Sequence, residues 1–313
     1  MKKKGLKMLL FLIIVLIGCG LLFACAPQFG KAGIGERIQQ SANYRDGKFR
    51  NLKPATVGGF DGEMFKTVRE YFAGGQIREP KSTIPTLPVA ADQIGEPGQL
   101  RVTWLGHSTC LIEIDGQTIL TDPVFADRAS PFSFMGPKRF AAELSIVPEQ
   151  LAHIDAVLIS HDHYDHLAYR SILALRDKVE KFFVPLGVGG HLERWGIPAS
   201  KIVELDWWQQ RQNGSLNFVF TPTQHFSGRG LSRNKYGPFE ITLLENGAYN
   251  NAWADIHMLP EQTVQAHLDL RGELLLPIHW GKFNLSVHSW TEPIKRLLAA
   301  AKRSRTKVTT PLQ

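Results

Sequence analysis

Cysteine is scarce in this chain. There are three in 313 residues, and Cys19 and Cys25 sit in the first apolar stretch, which leaves Cys110 alone in the body and excludes a disulfide framework. The body also lacks net charge. Of 36 basic residues, Lys2, Lys3, Lys4 and Lys7 open the chain, Lys302, Arg303, Arg305 and Lys307 close it, and the remainder nearly cancel the 29 acidic ones. Nucleic-acid affinity rests on clustered basic groups, so nucleic acid is excluded as a partner, and the formal +7 reads as a membrane-facing start and a frayed tail. There is no repeat and no low-complexity block. What is present, 43% hydrophobic and 21% charged residues over a length sufficient for one large or two ordinary domains, is the balance of a folded globular protein.

From Met8 to Gly30 there is no charge, and Leu9 to Ala26 is a continuous apolar run of 18 residues preceded by four lysines. That is a targeting element; a cleaved signal peptide, a spanning anchor and a lipoprotein signal acylated at Cys19 or Cys25 all compete for it. An anchor over residues 1–30 is favoured, with the lysines inside and the rest of the chain outside the cytoplasm, at the periplasmic or extracellular face. Residues 31–98 are polar and rich in Gly and Pro, with one helical pattern at Glu63 to Phe72, and read as an arm packed on a core domain over 99–313.

In that domain, strands are expected at Leu100 to Trp104, Cys110 to Ile114 and Thr118 to Leu120, the last two joined by the hairpin signal Asp115-Gly116. Ile154 to Ile159 reads as a buried strand and Leu167 to Leu175 as a helix. Further strands are expected at Phe182 to Pro185, Lys201 to Leu205, Leu216 to Phe220, Glu240 to Leu244 and Leu274 to Pro277, with helices at Pro260 to Leu268 and Glu292 to Lys302. Hairpins first and helices between later strands predict an α/β layered sandwich.

Directly after the strand at Ile154 comes Ser160-His161-Asp162-His163-Tyr164-Asp165-His166. Three histidines and two aspartates in six residues put several imidazole and carboxylate donors within one turn of chain. Those are the ligands of a catalytic zinc-type ion with an open position for water. A solvated polar loop seldom concentrates histidine at the mouth of a buried strand.

The H-x-H-x-D-H pattern resembles the signature of the metallo-β-lactamase superfamily, whose αββα sandwich holds two metal ions at the sheet edge. The resemblance implies that His161 and His163, with His225 from Thr221-Pro222-Thr223-Gln224-His225, hold one metal. Asp165 and His166, with His279 from Pro277-Ile278-His279-Trp280, would hold the second, and Asp165 also counts among the catalytic groups. Segments including TWLGHSTCLIEIDG, ISHDHYDHL, PTQHFSGRG and PIHWGKFNLSVHSWTEP are similar to the branch that contains N-acylphosphatidylethanolamine-hydrolysing phospholipases D and sugar-phosphate lactonases. That branch implies two divalent ions, zinc by default with iron or manganese as alternatives. It also implies a phospholipid or other phosphodiester substrate, cleaved by metal-activated water.

One part of the pattern is missing. The family carries a further aspartate between the positions of His225 and His279 that bridges the two metals. Here GRGLSRNK runs straight into YGPFEITLLENGAY, so a segment of about two strands is expected to be lacking between Arg233 and Tyr236. After His225 the chain has only Asp255 and Asp269, neither in the expected context; Asp255 and Glu245 are the carboxylates weighed as substitutes. The expectation is a weakened second metal, an uncovered sheet edge and, as a reading of another class, a catalytically impaired remnant.

By the same resemblance His257, in Asp255-Ile256-His257-Met258, lies beside the metals and contacts the scissile phosphate. His107 and Asp122, at turn and strand ends, are read as partners that orient ligands. His191, His267 and His288 are read as structural or exposed, Cys110 as a small core residue, and Trp207 and Trp208 as core or site wall. Phe132, Phe134 and Met135, in a loop too aromatic for solvent, are candidates for acyl-chain or bilayer contact. A lactonase or phosphoesterase acting on a soluble sugar phosphate is the rival within the fold. A homodimer is left open.

Overall fold

The computed structural model describes residues 26–310 except 32, 34, 52–61, 96–99, 223, 224, 226, 228 and 230–243. The apolar run up to residue 25 and the join between Arg233 and Tyr236 lie outside the described residues.

One sheet organises the molecule. The arm contributes a short helix α1 (Glu36–Gln40), a hairpin of β1 (Tyr44–Arg45) and β2 (Lys48–Phe49), and helix α2 (Gly62–Ala73). The main sheet follows in chain order: β3 (Arg101–Trp104), β4 (Cys110–Ile114), β5 (Gln117–Thr121), β6 (Ile154–Leu158), β7 (Val179–Pro185) and β8 (Ile202–Leu205). Strands β3 to β5 pair antiparallel, and β5 to β8 pair parallel. Asp115 and Gly116 join β4 to β5 with φ of 51° and 72°, the left-handed pair a tight hairpin turn requires. Parallel neighbours need crossovers: a long loop with one 3-10 turn (Pro148–Gln150) links β5 to β6, α3 (Tyr169–Leu175) links β6 to β7, and α4 (Gly189–Arg194) links β7 to β8. The strands read as unbroken apolar runs because both faces are covered: Leu111, Leu120, Ile154, Val157 and Phe182 are fully buried.

A second layer completes an αββα sandwich. Strands β9 (Gln210–Asn213) and β10 (Leu216–Val219) form a hairpin whose Phe218 packs on Phe183, ring centroids 4.8 Å apart. Helices α5 (Pro260–Asp269) and α6 (Glu292–Ser304) enclose a cluster of Leu244, Val264, Leu275, Leu297, Ala300 and Ala301. The arm packs on the same core, since Ile38 and Phe49 are buried in the sheet's cluster and Trp195 Nε1 donates to Pro27 O at 2.7 Å. Among the described residues no helix is long and apolar enough to cross a membrane.

Some expectations change. The strand expected at Leu274 to Pro277 is reduced to isolated bridges, Leu275 with Val308 and Ile278 with Glu245, because successive residues reach different partners and no ladder forms. Residues 240–243 of another expected strand lie outside the described residues. Strand β9 escapes a reading based on apolar periodicity because its sequence is Gln-Arg-Gln-Asn; amide hydrogen bonds between Gln117 and Asn213 hold it. Trp208 is 68% exposed and in the left-handed region, so it is neither core nor site wall, whereas Trp207 packs against the core. Among the described residues β3 pairs with β4 alone, and Val102 on it and Leu100 just before it are exposed. A cleft of about 1090 Å³ opens along this edge between Leu87, Trp104 and Leu275, behind the functional loops.

The topology gathers loops at one edge. Strands β3 and β5 both run against β4, and β6 to β8 run with β5, so their C-terminal ends coincide. The turn at Gly106-His107, Asp122 and the run Ser160 to His166 all leave that edge, where ligands bind in open α/β sheets.

Candidate metal centre

Two sets of donors meet at the sheet edge. His161, His163 and His225 bring one donor atom each within 4.8 Å of one another, and His107, Asp165, His166 and His279 do the same. His161 and His166 rings lie 3.9 Å apart, so the sets adjoin. The triads expected from the sequence are therefore brought together, and His107, expected behind the ligands, stands among them: its Nε2 lies 2.8 Å from Asp165 Oδ2 and its ring 4.0 Å from His279.

The local chain explains how. His107, Asp122 and His279 adopt φ of 56°, 35° and 65°, left-handed turns that re-aim the chain after β3, after β5 and after the bridge at Ile278. The His107 carbonyl accepts from both Trp104 Nε1 (2.7 Å) and His279 N (2.9 Å), and Trp104 stacks on Trp280, which staples the two histidine loops together.

Asp122 sits behind His166. Its Oδ1 accepts Ser160 N at 2.7 Å, and its Oδ2 meets Ser160 Oγ at 2.6 Å and His166 Nδ1 at 2.8 Å. A carboxylate on Nδ1 turns Nε2 toward the cluster, where it lies 3.0 Å from His279 Nε2. His161 and His225 likewise meet through Nε2 atoms 3.0 Å apart.

Burial decides the protonation of most rings. It lowers His107 and His163 to about 4 and pushes His161, His225 and His279 well below the ordinary imidazole range, so these rings are neutral lone-pair donors at neutral pH. For His166 burial acts the same way, but the charges of Asp165 and Asp122 overrule it and push it up to about 10. Burial would raise Asp165; His166 and His107 hold it well below the carboxylate range instead. Imidazole nitrogens that converge in pairs at 3.0 Å in a dry site, with His279 Nδ1 buried and lacking a hydrogen-bond partner among the described residues, make a donor set that fits divalent ions.

His257 lies beside both donor sets. Its ring is 5.4 Å from His225 and 5.1 Å from His279, and its Nδ1 lies 2.5 Å from Glu245 Oε2. Asp255 and Asp269 are exposed. Phe132 stacks on Phe134 and meets Phe29 edge to face, with Phe134 and Met135 exposed; these residues form their own patch beside the arm. Buried His191 and His267 and half-buried His288 stand outside both donor sets, and burial pushes the Cys110 thiol up to about 12, an inert core group.

A brace behind the motif was not foreseen. Buried Asp162 accepts Ser227 Oγ at 2.6 Å and lies 3.6 Å from His191, which holds its carboxyl down at about 2 against burial. Arg229 donates to Asp162 O (2.8 Å), Gln28 O (2.7 Å) and Leu167 O, with its guanidinium over the Tyr164 ring at 4.3 Å. The signal for it was present in Ser227 and Arg229, two and four residues after His225.

Comparison with known proteins agrees with this geometry. The model of a family described as beta-lactamase superfamily domain matches residues 117–235 and 231–280. An uncharacterized protein of Mycobacterium tuberculosis is 44% identical over 90% of this chain and 85% of its own length. That alignment runs over 324 positions, more than the 313 residues here, so the relative carries residues with no counterpart in this chain. N-acyl-phosphatidylethanolamine-hydrolyzing phospholipase D 1 of Caenorhabditis elegans is 32% identical over 81% of this chain and 86% of its own. A solved structure of a possible metal-dependent hydrolase from Veillonella parvula shares the fold at a TM-score of 0.50 and 14% identity, over 69% of this chain and 97% of that one.

Proposed function

Since the chain belongs to the metallo-β-lactamase superfamily and its relatives are metal-dependent hydrolases, we propose that it hydrolyses a phosphodiester lipid of the N-acylphosphatidylethanolamine type. The observation that supports this reading is His257, an imidazole beside both donor sets and steadied by Glu245, to which the reading gives a phosphoryl oxygen as partner. The 32% identity to a phospholipase D of that specificity supports it.

His161, His163 and His225 would hold one ion, and Asp165, His166 and His279 with His107 beside them the other. When bound, two zinc ions would polarise the phosphoryl oxygens and lower the pKa of water to near neutrality. Asp165 orients the attacking water, Asp122 keeps His166 aimed, and His257 binds a non-bridging phosphoryl oxygen. Water oxygen joins phosphorus, the bond from phosphorus to the ethanolamine oxygen breaks, and the leaving oxygen takes up a proton. The products are a phosphatidic acid and an N-acylethanolamine.

The same reading holds residues 1–30 as a membrane anchor with the catalytic body outside the cytoplasm. Phe134 and Met135, exposed next to Phe132 and so to Phe29, support an apolar contact with the bilayer close to where the anchor ends. The test is hydrolysis of N-acylphosphatidylethanolamine in mixed micelles by zinc-replete protein, read as N-acylethanolamine released. His257→Ala is expected to lower kcat by at least tenfold. Turnover of a sugar-phosphate lactone with none of the lipid would overturn the substrate, and no turnover of either would point to the impaired remnant.

A further inference from the structure

We propose that Glu245 is the carboxylate that completes the second donor set, standing in for the bridging aspartate this chain lacks. The inference rests on the two-ion reading above and concerns which residue makes it workable.

Two dications a few ångströms apart repel, and carboxylates between them offset that repulsion. The two donor sets contain seven side chains and only one carboxylate, Asp165. The other acids near the motif face away. Both oxygens of Asp122 are engaged by Ser160 and His166 Nδ1, and Asp162 is engaged by Ser227 and His191. Among the described residues, Glu245 is the remaining buried carboxylate whose oxygen reaches the histidines: it, His257 and His279 bring donor atoms within 4.8 Å of one another.

Its backbone is placed like that of a ligand at a strand end. Glu245 bridges Ile278, the residue before His279; Asn246 N donates to Ile278 O at 3.0 Å, and Thr263 Oγ1 donates to Glu245 O at 2.6 Å. Its side chain is aimed by Met258 N on Oε1 (2.8 Å) and by His257 Nδ1 on Oε2 (2.5 Å). An ionised carboxylate offers about four lone-pair positions, so these two hydrogen bonds leave it capacity to ligate. The reach suits the chemistry: beside His279, a glutamate carries its carboxylate one methylene further than the aspartate that the family pattern leads one to expect.

The test uses the full-length chain in detergent, stripped with chelator and titrated with zinc against a chromophoric competitor, with bound zinc counted by elemental analysis. Wild type is expected to bind two zinc ions per chain. Glu245→Gln, nearly isosteric, is expected to keep the first and weaken the second by 10- to 100-fold. His257→Ala, which removes the hydrogen bond on Oε2 but leaves the carboxylate and Met258 N on Oε1, is expected to keep the first ion and weaken the second less than Glu245→Gln does. Thermal unfolding of the zinc-free proteins should coincide; should Glu245→Gln unfold early, Glu245→Asp, which keeps the charge one methylene short, is expected to weaken the second ion less than tenfold. Two ions bound with wild-type affinity in Glu245→Gln would overturn the proposal, as would the same loss in His257→Ala as in Glu245→Gln. No zinc bound by wild type would instead overturn the two-ion reading, and with it this one. A single ion in wild type, unaffected by Glu245→Gln, would overturn the two-ion reading and this proposal together, whereas two ions held equally by wild type and Glu245→Gln would overturn this proposal alone.

Discussion

Asp122→Ala is the most informative perturbation of the site's scaffold. It removes the acceptor of Ser160 N, Ser160 Oγ and His166 Nδ1, of which Ser160 N has no other partner among the described residues, while Ser160 Oγ keeps His161 Nδ1 at 2.9 Å and lies 3.3 Å from His166 Nδ1. One unsatisfied buried group costs about 1–3 kcal/mol and the other two lose their charged partner but not every partner, so a loss of about 2–4 kcal/mol is expected. Freed from the carboxylate, the His166 ring no longer has Nε2 directed at the cluster, and zinc affinity at the second set should fall by about 10- to 100-fold. Asp122→Asn keeps an acceptor for Ser160 N but sets an amide against His166 Nδ1, so it should lose nearly as much zinc affinity while losing less stability. Denaturant unfolding of the zinc-free variants, alongside zinc competition, separates the two effects. Unchanged zinc affinity in Asp122→Asn would refute the orienting role; an unchanged unfolding midpoint in Asp122→Ala would refute the hydrogen-bond accounting.

Arg229→Lys should destabilise the protein by about 2–4 kcal/mol, since one ammonium cannot serve the carbonyls of Asp162, Gln28 and Leu167 while stacking on Tyr164; an unshifted denaturation midpoint would count against the brace. The zinc-free protein should be most stable near pH 7. His107 and His163, lowered by burial to about 4, stay neutral in the fold but protonate in the unfolded chain, so stability falls as pH drops from about 6.5 toward 4. His166, raised to about 10, contributes stability that is complete below about 6.5 and lost as pH climbs to 10. Thermal unfolding of chelated protein at pH 5, 7 and 9 checks this, and a higher midpoint at pH 5 than at pH 7 would contradict it. Zinc binding must displace the His166 proton, so affinity should rise with pH over the same alkaline range, as proton release in calorimetry would report.

Legibility followed chain locality. His161, His163, Asp165 and His166 lie within six residues, at the end of a strand whose buried apolar run announced itself, so their convergence was legible in the order of the residues alone. His225 and His279 were readable through the segments around them. Strand β9 was not, because it has no apolar face to set a period, and neither was the brace of Asp162, Ser227, Arg229 and His191, whose members are up to 67 residues apart and individually ordinary. Polar networks of this kind carry no periodicity; their meaning is which groups end up dry and facing one another.

What the sequence by itself determined is the chemistry available: an apolar core without disulfides, alternating strands and helices that fit a layered sandwich, and imidazoles and carboxylates at strand ends in a spacing suited to divalent ions. It also determined an absence, the lack of an aspartate in the expected context between the late histidines. Only the tertiary structure decided which carboxylate is placed to fill that lack. Asp255, Asp269 and Glu245 are equivalent as letters, but two of them end in water, and Glu245 is carried by its bridge to Ile278 into the dry space beside His257 and His279. The reason is physical: ligand character depends on burial and direction, and those arise when distant segments pack, not when neighbouring residues are read in order.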